Sequence, residues 1–450
     1  RSVVMKFGGT SVADRDAIGR LIAIVRDARR NSAPPIVVVS ALSGVTDRLV
    51  EIARLAEDGD GAAAASTLAA LADRHATVAA AVTTASRDAV VDFVRRELAE
   101  MGGLVHALAV LREVSPRSRD AVHAIGEVLS SAIVAAALDD QGIPTTAVDA
   151  RTVLVTDAEH TAAAPEMIET CERCRERIAP VVAAERVAVL GGFIGATPNG
   201  VTTTLGRGGS DYSAAIFGAC LGVDEIQIWT DVDGMLTADP RIVSRPRVVP
   251  QLSFAEASEL AYFGAKVLHP STILPAVAKN IPVRILNSRK PDNAGTLITA
   301  NGAAAGSHLT AIACKRDVTV VDITSTRMLM AHGFLRRLFE VFERFKTAVD
   351  VVTTSEVSVS VTVDDTRRLD ALVDNLRHFA EVACEPEMAI VCAVGENLRS
   401  DATLFGRAIT ALDRIPLRLV SQAASRRNIT FVLRDADVPA AMTRLHEAFF

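Results

Sequence analysis

Two stretches of this chain carry a fixed positive charge into a run of glycines. In KFGGTS, Lys6 to Ser11, a lysine precedes Gly8 and Gly9. In TTTLGRGGSDYSAA, Thr202 to Ala215, Arg207 stands among three glycines and is followed at once by Ser210 and Asp211. Glycine lets backbone N–H groups come close to a ligand. A guanidinium offers a planar fork that matches a carboxylate or a phosphate, and an ammonium offers a compact point charge. Ser210 or Asp211 can cap a helix starting near Tyr212, and a helix start favours anions. The first stretch is not a Walker A loop, because its lysine precedes the glycines. Each stretch taken alone also fits a plain glycine-rich turn with a capped helix or a solvated lysine.

Four further stretches add to the set. SALSGVTDRL, Ser40 to Leu49, places hydroxyls, Thr46 among them, after a strand. AIGEVLSSAI, Ala124 to Ile133, sets Glu127 among small and apolar residues, where a carboxylate needs a partner, either a structural cation or a ligand ammonium. WTDVDGMLTADPR, Trp229 to Arg241, follows a strand and brings Thr230, Asp231 and Arg241 to a long structured turn. FGAKVLHP, Phe263 to Pro270, supplies another glycine-preceded lysine, Lys266. Cations and glycine turns grouped at strand ends point to a phosphate-rich ligand, since open α/β sheets bind ligands at their carboxyl edges.

The elements that must position these residues alternate over the first 300 or so positions. Strand candidates VVMKF, PPIVVVSA, TTAVDA, VAVLGGFIG, DEIQIWTD and IPVRILN are separated by helical patterns. Short continuous β-branched runs read as buried parallel strands, so the expected class is α/β, a mostly parallel sheet sandwiched by helices. Residues of about 58–115 interrupt this alternation as an Ala-rich helical insertion. After NGAAAGSH the texture changes to a tandem pair of α+β units. VTVVDITS, GFLRRLFEVFERF, AVDVVTTS, EVSVSVTVD and TRRLDALVDNLRHF are followed by MAIVCAVGE, ATLFGRAITALDR, LRLVSQAAS, NITFVLRD and VPAAMTRLHEAFF, the same order twice. The expected domains are 1–300, 309–386 and 387–450, with strands open to exchange between the last two.

The chain has 450 residues, 49% hydrophobic and 23% charged, with a net charge of -6. That balance fits a globular protein of several domains, and the lack of a basic run argues against nucleic acid as a partner. The strand-like start without a leader, and the lack of an apolar run long enough to span a bilayer, favour the cytoplasm and no membrane. Most of the six cysteines sit in apolar or helical contexts and read as buried thiols. Cys171 and Cys174, in the charged TCERCRERI, read as part of a solvated helix face rather than a zinc half-site or redox pair.

In this order and spacing, KFGGTS, LGRGGSDYSA, WTDVDG, TADPR and FGAKVLHP resemble aspartate kinase over essentially the whole chain. The resemblance implies the amino-acid kinase fold followed by tandem ACT domains, and a monofunctional enzyme without a homoserine dehydrogenase half. It implies phosphoryl transfer from ATP to the side-chain carboxylate of aspartate. Arg207 and Ser210 would hold the α-carboxylate of aspartate, and Thr46 and Glu127 other polar groups, Glu127 the ammonium. Lys6 would face the transferring phosphoryl, with Asp211 holding it. Gly8 and Gly9 would cradle phosphates, and Thr230, Asp231, Leu236, Arg241 and Lys266 would line the nucleotide site. Many relatives carry a tyrosine at the position of Leu236. No dedicated metal cage is expected, Mg2+ being held mainly by phosphates and water. The ACT units imply feedback by an amino acid, lysine favoured over threonine, through Met328, Phe334, Leu335, Asp350, Thr354, Ser355 and Glu356. Asp350 would pair with the effector ammonium. Met330 and Ala331 replace polar residues of some lysine-inhibited members. Open sheet edges imply a homodimer or homotetramer through the ACT units. A catalytically inactive amino-acid sensor is the rival reading, against which Lys6, Arg207 and Asp211 are all present.

Overall fold

The computed structural model describes residues 1–264, 268–303, 308–325, 333–422 and 425–450. The chain forms two compact units. One comprises Arg1–Met235, Pro250–Phe254 and Val267–Ala303, the other Leu236–Val249, Ala255–Lys266 and Ala304–Phe450.

Among the described residues, the first part of the chain runs through β1 (Val3–Phe7), α1 (Arg15–Asn31), β2 (Ile36–Val39), α2 (Val45–Glu57), α3 (Gly61–Val82), α4 (Arg87–Leu111), α5 (Pro116–Asp140) and β3 (Thr145–Ala147). It continues with α6 (Met167–Arg177), α7 (Ala179–Ala183), β4 (Val187–Gly191), β5 (Ile194–Ala196), β6 (Thr202–Thr204), α8 (Gly209–Leu221), β7 (Glu225–Thr230), β8 (Gln251–Ser253), α9 (Phe254–Tyr262), α10 (Leu274–Ala278), β9 (Val283–Asn287) and β10 (Thr296–Thr299). Eight of these strands form one sheet in the order β3-β4-β2-β1-β7-β9-β10-β8. All its pairings are parallel except β9 with β10. The reason lies in the sequence. VVMKF, IVVV and VAVLG are buried at every position, so both faces of the central strands are covered, the condition under which parallel sheets are found. β5 and β6 make a separate antiparallel ribbon that leads into the Arg207 loop.

Between β2 and β3 the chain is helical four times in succession. Asp60 caps α3 through Ala63 N–H, and Ser115 with Pro116 opens α5. α5 is long and apolar enough to cross a membrane, but two thirds of its apolar window is buried within the fold. Its inner face joins α1–α4 and the sheet in a single core.

The second unit carries β11 (His308–Thr324), α11 (Phe334–Arg344), β12 (Val352–Thr354), β13 (Ser358–Val363), α12 (Leu369–Leu376), β14 (Glu381–Glu396), α13 (Ala402–Ala411), β15 (Leu417–Ser421), β16 (Asn428–Arg434) and α14 (Val438–Phe449). Among the described residues its strands form one antiparallel sheet, β12-β13-β11-β14-β16-β15. β11 is longer than the sequence reading, which began a strand at Val318. The polar Lys315–Asp317 passage looks like a break, and Asp317 is left-handed (φ 57°), but the pairing with β14 continues across it through register shifts. The late half of β11 pairs with β13, while the late half of β14 pairs with β16. Each long strand therefore serves two cores, one under α11 and α12, the other under α13 and α14. The expected division at 386/387 falls inside β14.

Residues 236–249 and 255–266, expected within the catalytic domain, cluster with this unit. Thr237 shares a 2.8 Å hydrogen bond with His446, Ile312 N–H donates to Thr237 C=O at 2.8 Å, and Asn428 donates to Glu259 at 2.8 Å.

Candidate active site

The carboxyl ends of β1, β2 and β4 meet the start of α8 and one face of α5 at a cleft of about 710 Å3. It is lined by Lys6, Thr46, Glu127, Arg207, Ser210 and Asp211, so six sequence-derived residues from four separate stretches converge there.

Lys6 is buried at the end of β1, and its Nζ lies 2.8 Å from Asp211 Oδ1 in the first turn of α8. Asp211 thus fixes where the ammonium points. Beyond it, Gly8 N–H donates to Trp229 C=O at 3.0 Å, so the glycine turn is anchored to the end of β7. A Cβ on Gly9 would lie 3.1 Å from Ala41 C=O, a tight fit against the loop after β2.

Arg207 sits between Gly206 and Gly208, both left-handed (φ 78° and 73°), a conformation that L side chains resist. The double turn carries Arg207 out of the strand direction and leaves it exposed. Among the described residues it has no ion pair. Gly192 lets the next segment in, since a Cβ there would lie 2.8 Å from Ser210 Cβ. Phe193 N–H then donates to Ser213 Oγ at 2.9 Å, tying the β4–β5 turn to α8.

Glu127 is 3% exposed on α5. Its Oε1 accepts from Ala41 N–H at 3.1 Å, and among the described residues its Oε2 has no hydrogen-bond partner. Burial pushes its carboxyl up to about 8, against the weaker opposing effects of the Ala41 N–H and the Lys6 charge. A buried carboxyl with an open oxygen is suited to an incoming cationic donor. Gly191 and Gly126 allow α5 this close, because a Cβ on either would meet Glu127 or Ala41 at 3.0 Å or less.

Sequence reasoning missed three residues of α5. Arg119 and His123 line the same cleft, at four-residue spacings ahead of Glu127. Asp120 lies behind the cleft wall. The i, i+4, i+8 pattern 119/123/127 was the available signal. Burial lowers the His123 pKa, so its ring is neutral at ordinary pH.

Thr230 ends β7 and Asp231 follows it, and the loop they open is stitched to the end of β9. Ser288 N–H donates to Thr230 C=O at 2.9 Å, and Asn287 Nδ2 donates to Asp233 at 2.6 Å. Lys290 pairs with Asp233 at 2.8 Å. Leu236 and Arg241 belong instead to the second unit. Leu236 bridges Val248, and the Arg241 fork, 86% exposed, is held by Asp239 at 2.6 Å. Lys266 lies outside the described residues.

The expected effector residues divide similarly. Met328 lies outside the described residues, as do Met330 and Ala331. Phe334 and Leu335 open α11, and Phe334 meets Phe379 edge-on. Thr354, Ser355 and Glu356 are exposed at the β12–β13 turn, where Ser355 and Ser358 share a 2.7 Å hydrogen bond. Asp350, expected to pair with an effector ammonium, already holds partners within the chain. Its side chain is 4% exposed, receives Lys315 Nζ at 2.8 Å and Tyr262 Oη at 2.9 Å, and Lys315 also pairs with Asp364 at 2.7 Å. The antiparallel sheet brings the protein's own ammonium to that carboxylate.

Cys171 and Cys174, expected on a solvated helix face, lie instead on the inner side of α6. Cys171 is bonded to Cys220, joining α6 to α8, and Cys174 is a buried thiol whose pKa burial pushes up to about 12. A charged helix still has an inner face, and both cysteines turn toward it. Cys384, by contrast, is exposed.

The profile of the amino acid kinase family matches residues 1–287, and that of the ACT domain matches residues 391–449. Lysine-sensitive aspartokinase 3 of Escherichia coli is 33% identical over 100% of this chain and 99% of its own length. Aspartokinase 1, chloroplastic, of Arabidopsis thaliana is 36% identical over 99% of this chain and 80% of its own. The chain belongs to the aspartokinase family. The family's fold is the one described above. The structure of E. coli aspartokinase III in complex with aspartate and ADP superimposes with a TM-score of 0.82 at 33% identity, covering 100% of both chains. The same enzyme in complex with lysine and aspartate gives 0.82 at 33%, covering 100% of this chain and 99% of that one.

Proposed function

We propose that this enzyme transfers the γ-phosphoryl group of ATP to the side-chain carboxylate of aspartate, under feedback by an amino acid bound to its ACT unit. The observation that carries the reading is the pair of unmet polar groups in the cleft among the described residues, Arg207 without an ion pair and Glu127 with an open buried oxygen, beside the Lys6–Asp211 pair. An α-amino acid offers the complementary carboxylate and ammonium. The acceptor carboxylate, with a reference pKa near ~3.9, is already ionised at neutral pH. The chemistry therefore needs no general base. It needs two anions brought together and charge neutralised on the moving group. Arg207 and Ser210 take the α-carboxylate, Glu127 the ammonium, and Thr46 a further polar group. Lys6, aimed by Asp211, meets the phosphoryl oxygens. Gly8, Gly9, Thr230 and Asp231 face the nucleotide, whose Mg2+ is carried by phosphates and water. The aspartate and ADP bound by the E. coli relative support this substrate pair.

Lysine is the favoured effector over threonine, supported by the relative named lysine-sensitive and by its complex with lysine. That Asp350 already accepts an alkylammonium, that of Lys315, fits an amine ligand. Open outer strands β12 and β15 fit association through the ACT units into a homodimer or homotetramer. An ATP-dependent hydroxamate assay with aspartate, run with and without lysine and threonine, tests the whole reading. Product with aspartate and its suppression by lysine is the expected outcome. No product with aspartate sinks the kinase reading in favour of a sensor, and suppression by threonine alone sinks the lysine assignment.

A further inference from the structure

Asp120 is fully buried, with 0% exposure, near the start of α5, and no arginine or lysine pairs with it among the described residues. Its carboxylate is met instead by three hydrogen-bond donors. Thr204 Oγ1 donates to Oδ1 at 2.6 Å, Thr161 N–H to Oδ1 at 3.0 Å, and His160 Nδ1 lies 2.7 Å from Oδ2. A buried carboxylate costs far more than an apolar residue unless such donors satisfy it, and it can accept from several directions at once. The donors come from two segments, and both border the cleft. Thr204 ends β6, two residues before the left-handed Gly206 and three before Arg207. Thr161 is itself left-handed (φ 73°), and its carbonyl would lie 3.1 Å from a Cβ on Gly206. Ala163 N–H closes the ring by donating to Thr204 C=O at 3.0 Å. Thr161, Thr204, Gly206 and Arg207 all line the cleft, as do Arg119, His123 and Glu127 from the same helix as Asp120.

We infer that Asp120 is a positioning residue that locks the Arg207 loop to α5, so that Arg207 and Glu127 are held at a fixed separation matching the two ends of an α-amino acid. Glu127 belongs to α5 directly. Arg207 follows a glycine turn that would otherwise be free to swing, and the Thr204–Asp120 bond anchors the strand residue just ahead of that turn. The reach between carboxylate and ammonium sites is then set by one buried hydrogen-bond cluster rather than by the loop itself. This inference rests on the proposed aspartate site.

The test compares steady-state kinetics and melting temperature for Thr204→Val, Asp120→Asn, Asp120→Ala and Arg207→Lys in the full chain. Thr204→Val removes one donor and keeps the side-chain shape. It should raise the KM for aspartate about tenfold, the order expected when a binding group is misplaced by a fraction of an ångström to an ångström. The KM for ATP should stay within about twofold. Asp120→Asn retains an acceptor for Thr161 and Thr204 and loses the one facing His160, so it should be milder than Asp120→Ala. Adding Thr204→Val to Asp120→Ala should do nothing more, because both break the same bond. If Thr204→Val lowers the melting temperature while the aspartate KM stays as in the parent, Asp120 is only a structural group and the inference falls. The same conclusion follows if both KM values rise together. If Asp120→Ala fails to fold, Thr204→Val alone decides. Arg207→Lys separates the two levels. Should it leave aspartate KM unmoved, the proposed site fails, whereas a raised KM there with an unmoved KM in Thr204→Val overturns the positioning inference alone.

Discussion

The catalytic cleft and the Asp350 cluster treat charge in opposite ways. In the cleft, among the described residues, Arg207 has no ion pair and Glu127 leaves one buried oxygen without a partner. Around Asp350 the carboxylate is saturated by Lys315 and Tyr262, and Lys315 in turn is shared with Asp364. Unmet groups in a preformed site carry a cost that a ligand relieves on binding, so the substrate gains affinity from the folded scaffold. A saturated site offers no such gain. An amine arriving at Asp350 must displace an internal ammonium, and its net affinity is the difference of two similar interactions. On the proposed reading, one region binds and the other is switched.

Lys6→Ala should break the first half of that contrast most severely. Turnover should fall by about 10²-fold or more, as when a charge aimed at the transition state is removed. Substrate KM values should change far less, and near-normal turnover in stopped-time assays would remove Lys6 from the chemistry. Lys315→Met probes the second half. With its internal competitor gone, Asp350 faces only Tyr262, and the half-inhibitory lysine concentration should drop by about fivefold, the lower end of typical coupling. Weaker inhibition instead would show that Lys315 helps to hold the effector. Glu127 gives a subtler signature. Its carboxyl sits near about 8 in the free protein, so below that pH it is largely protonated, and a substrate ammonium must expel the proton. Aspartate binding should release up to one proton at pH 6–7 and none above about 9, seen as a buffer-dependent enthalpy in titration calorimetry. Glu127→Gln should abolish the release. Because the folded pKa is raised, the parent should also lose stability relative to Glu127→Gln as pH climbs from about 4.5 to 8, with no further change above. A difference in melting temperature that grows in the other direction would contradict the burial of this carboxyl.

Residues that act within one contiguous stretch were legible in the sequence. Lys6 with its glycines, and Arg207 with Ser210 and Asp211, declare themselves because the turn and the charge are neighbours in the chain. The helix start was less legible: α8 begins earlier than expected, at Gly209, with Gly208 at its N-cap and no side-chain cap from Ser210 or Asp211. The parallel sheet was legible for the same reason, in runs such as IVVV that no solvated strand would carry. What escaped depends on long-range pairing. Lys315 reaches Asp350 from 35 residues away, and Tyr262 from 88, through a sheet whose longest strand hides a polar kink. Cys171 and Cys220 are 49 positions apart, on two helices whose packing no spacing rule specifies. Arg119, Asp120 and His123 were within reach, since helical periodicity from Glu127 points back along α5.

On the proposed reading, the Arg207 fork, presented by two left-handed glycines, receives the α-carboxylate of aspartate. Arg207→Lys keeps the charge and removes the bidentate geometry. Initial-rate measurements with each substrate varied in turn should show the aspartate KM raised at least about tenfold and the ATP KM changed by less than about twofold. Equal increases for both substrates, or an ATP-selective defect, would contradict the account.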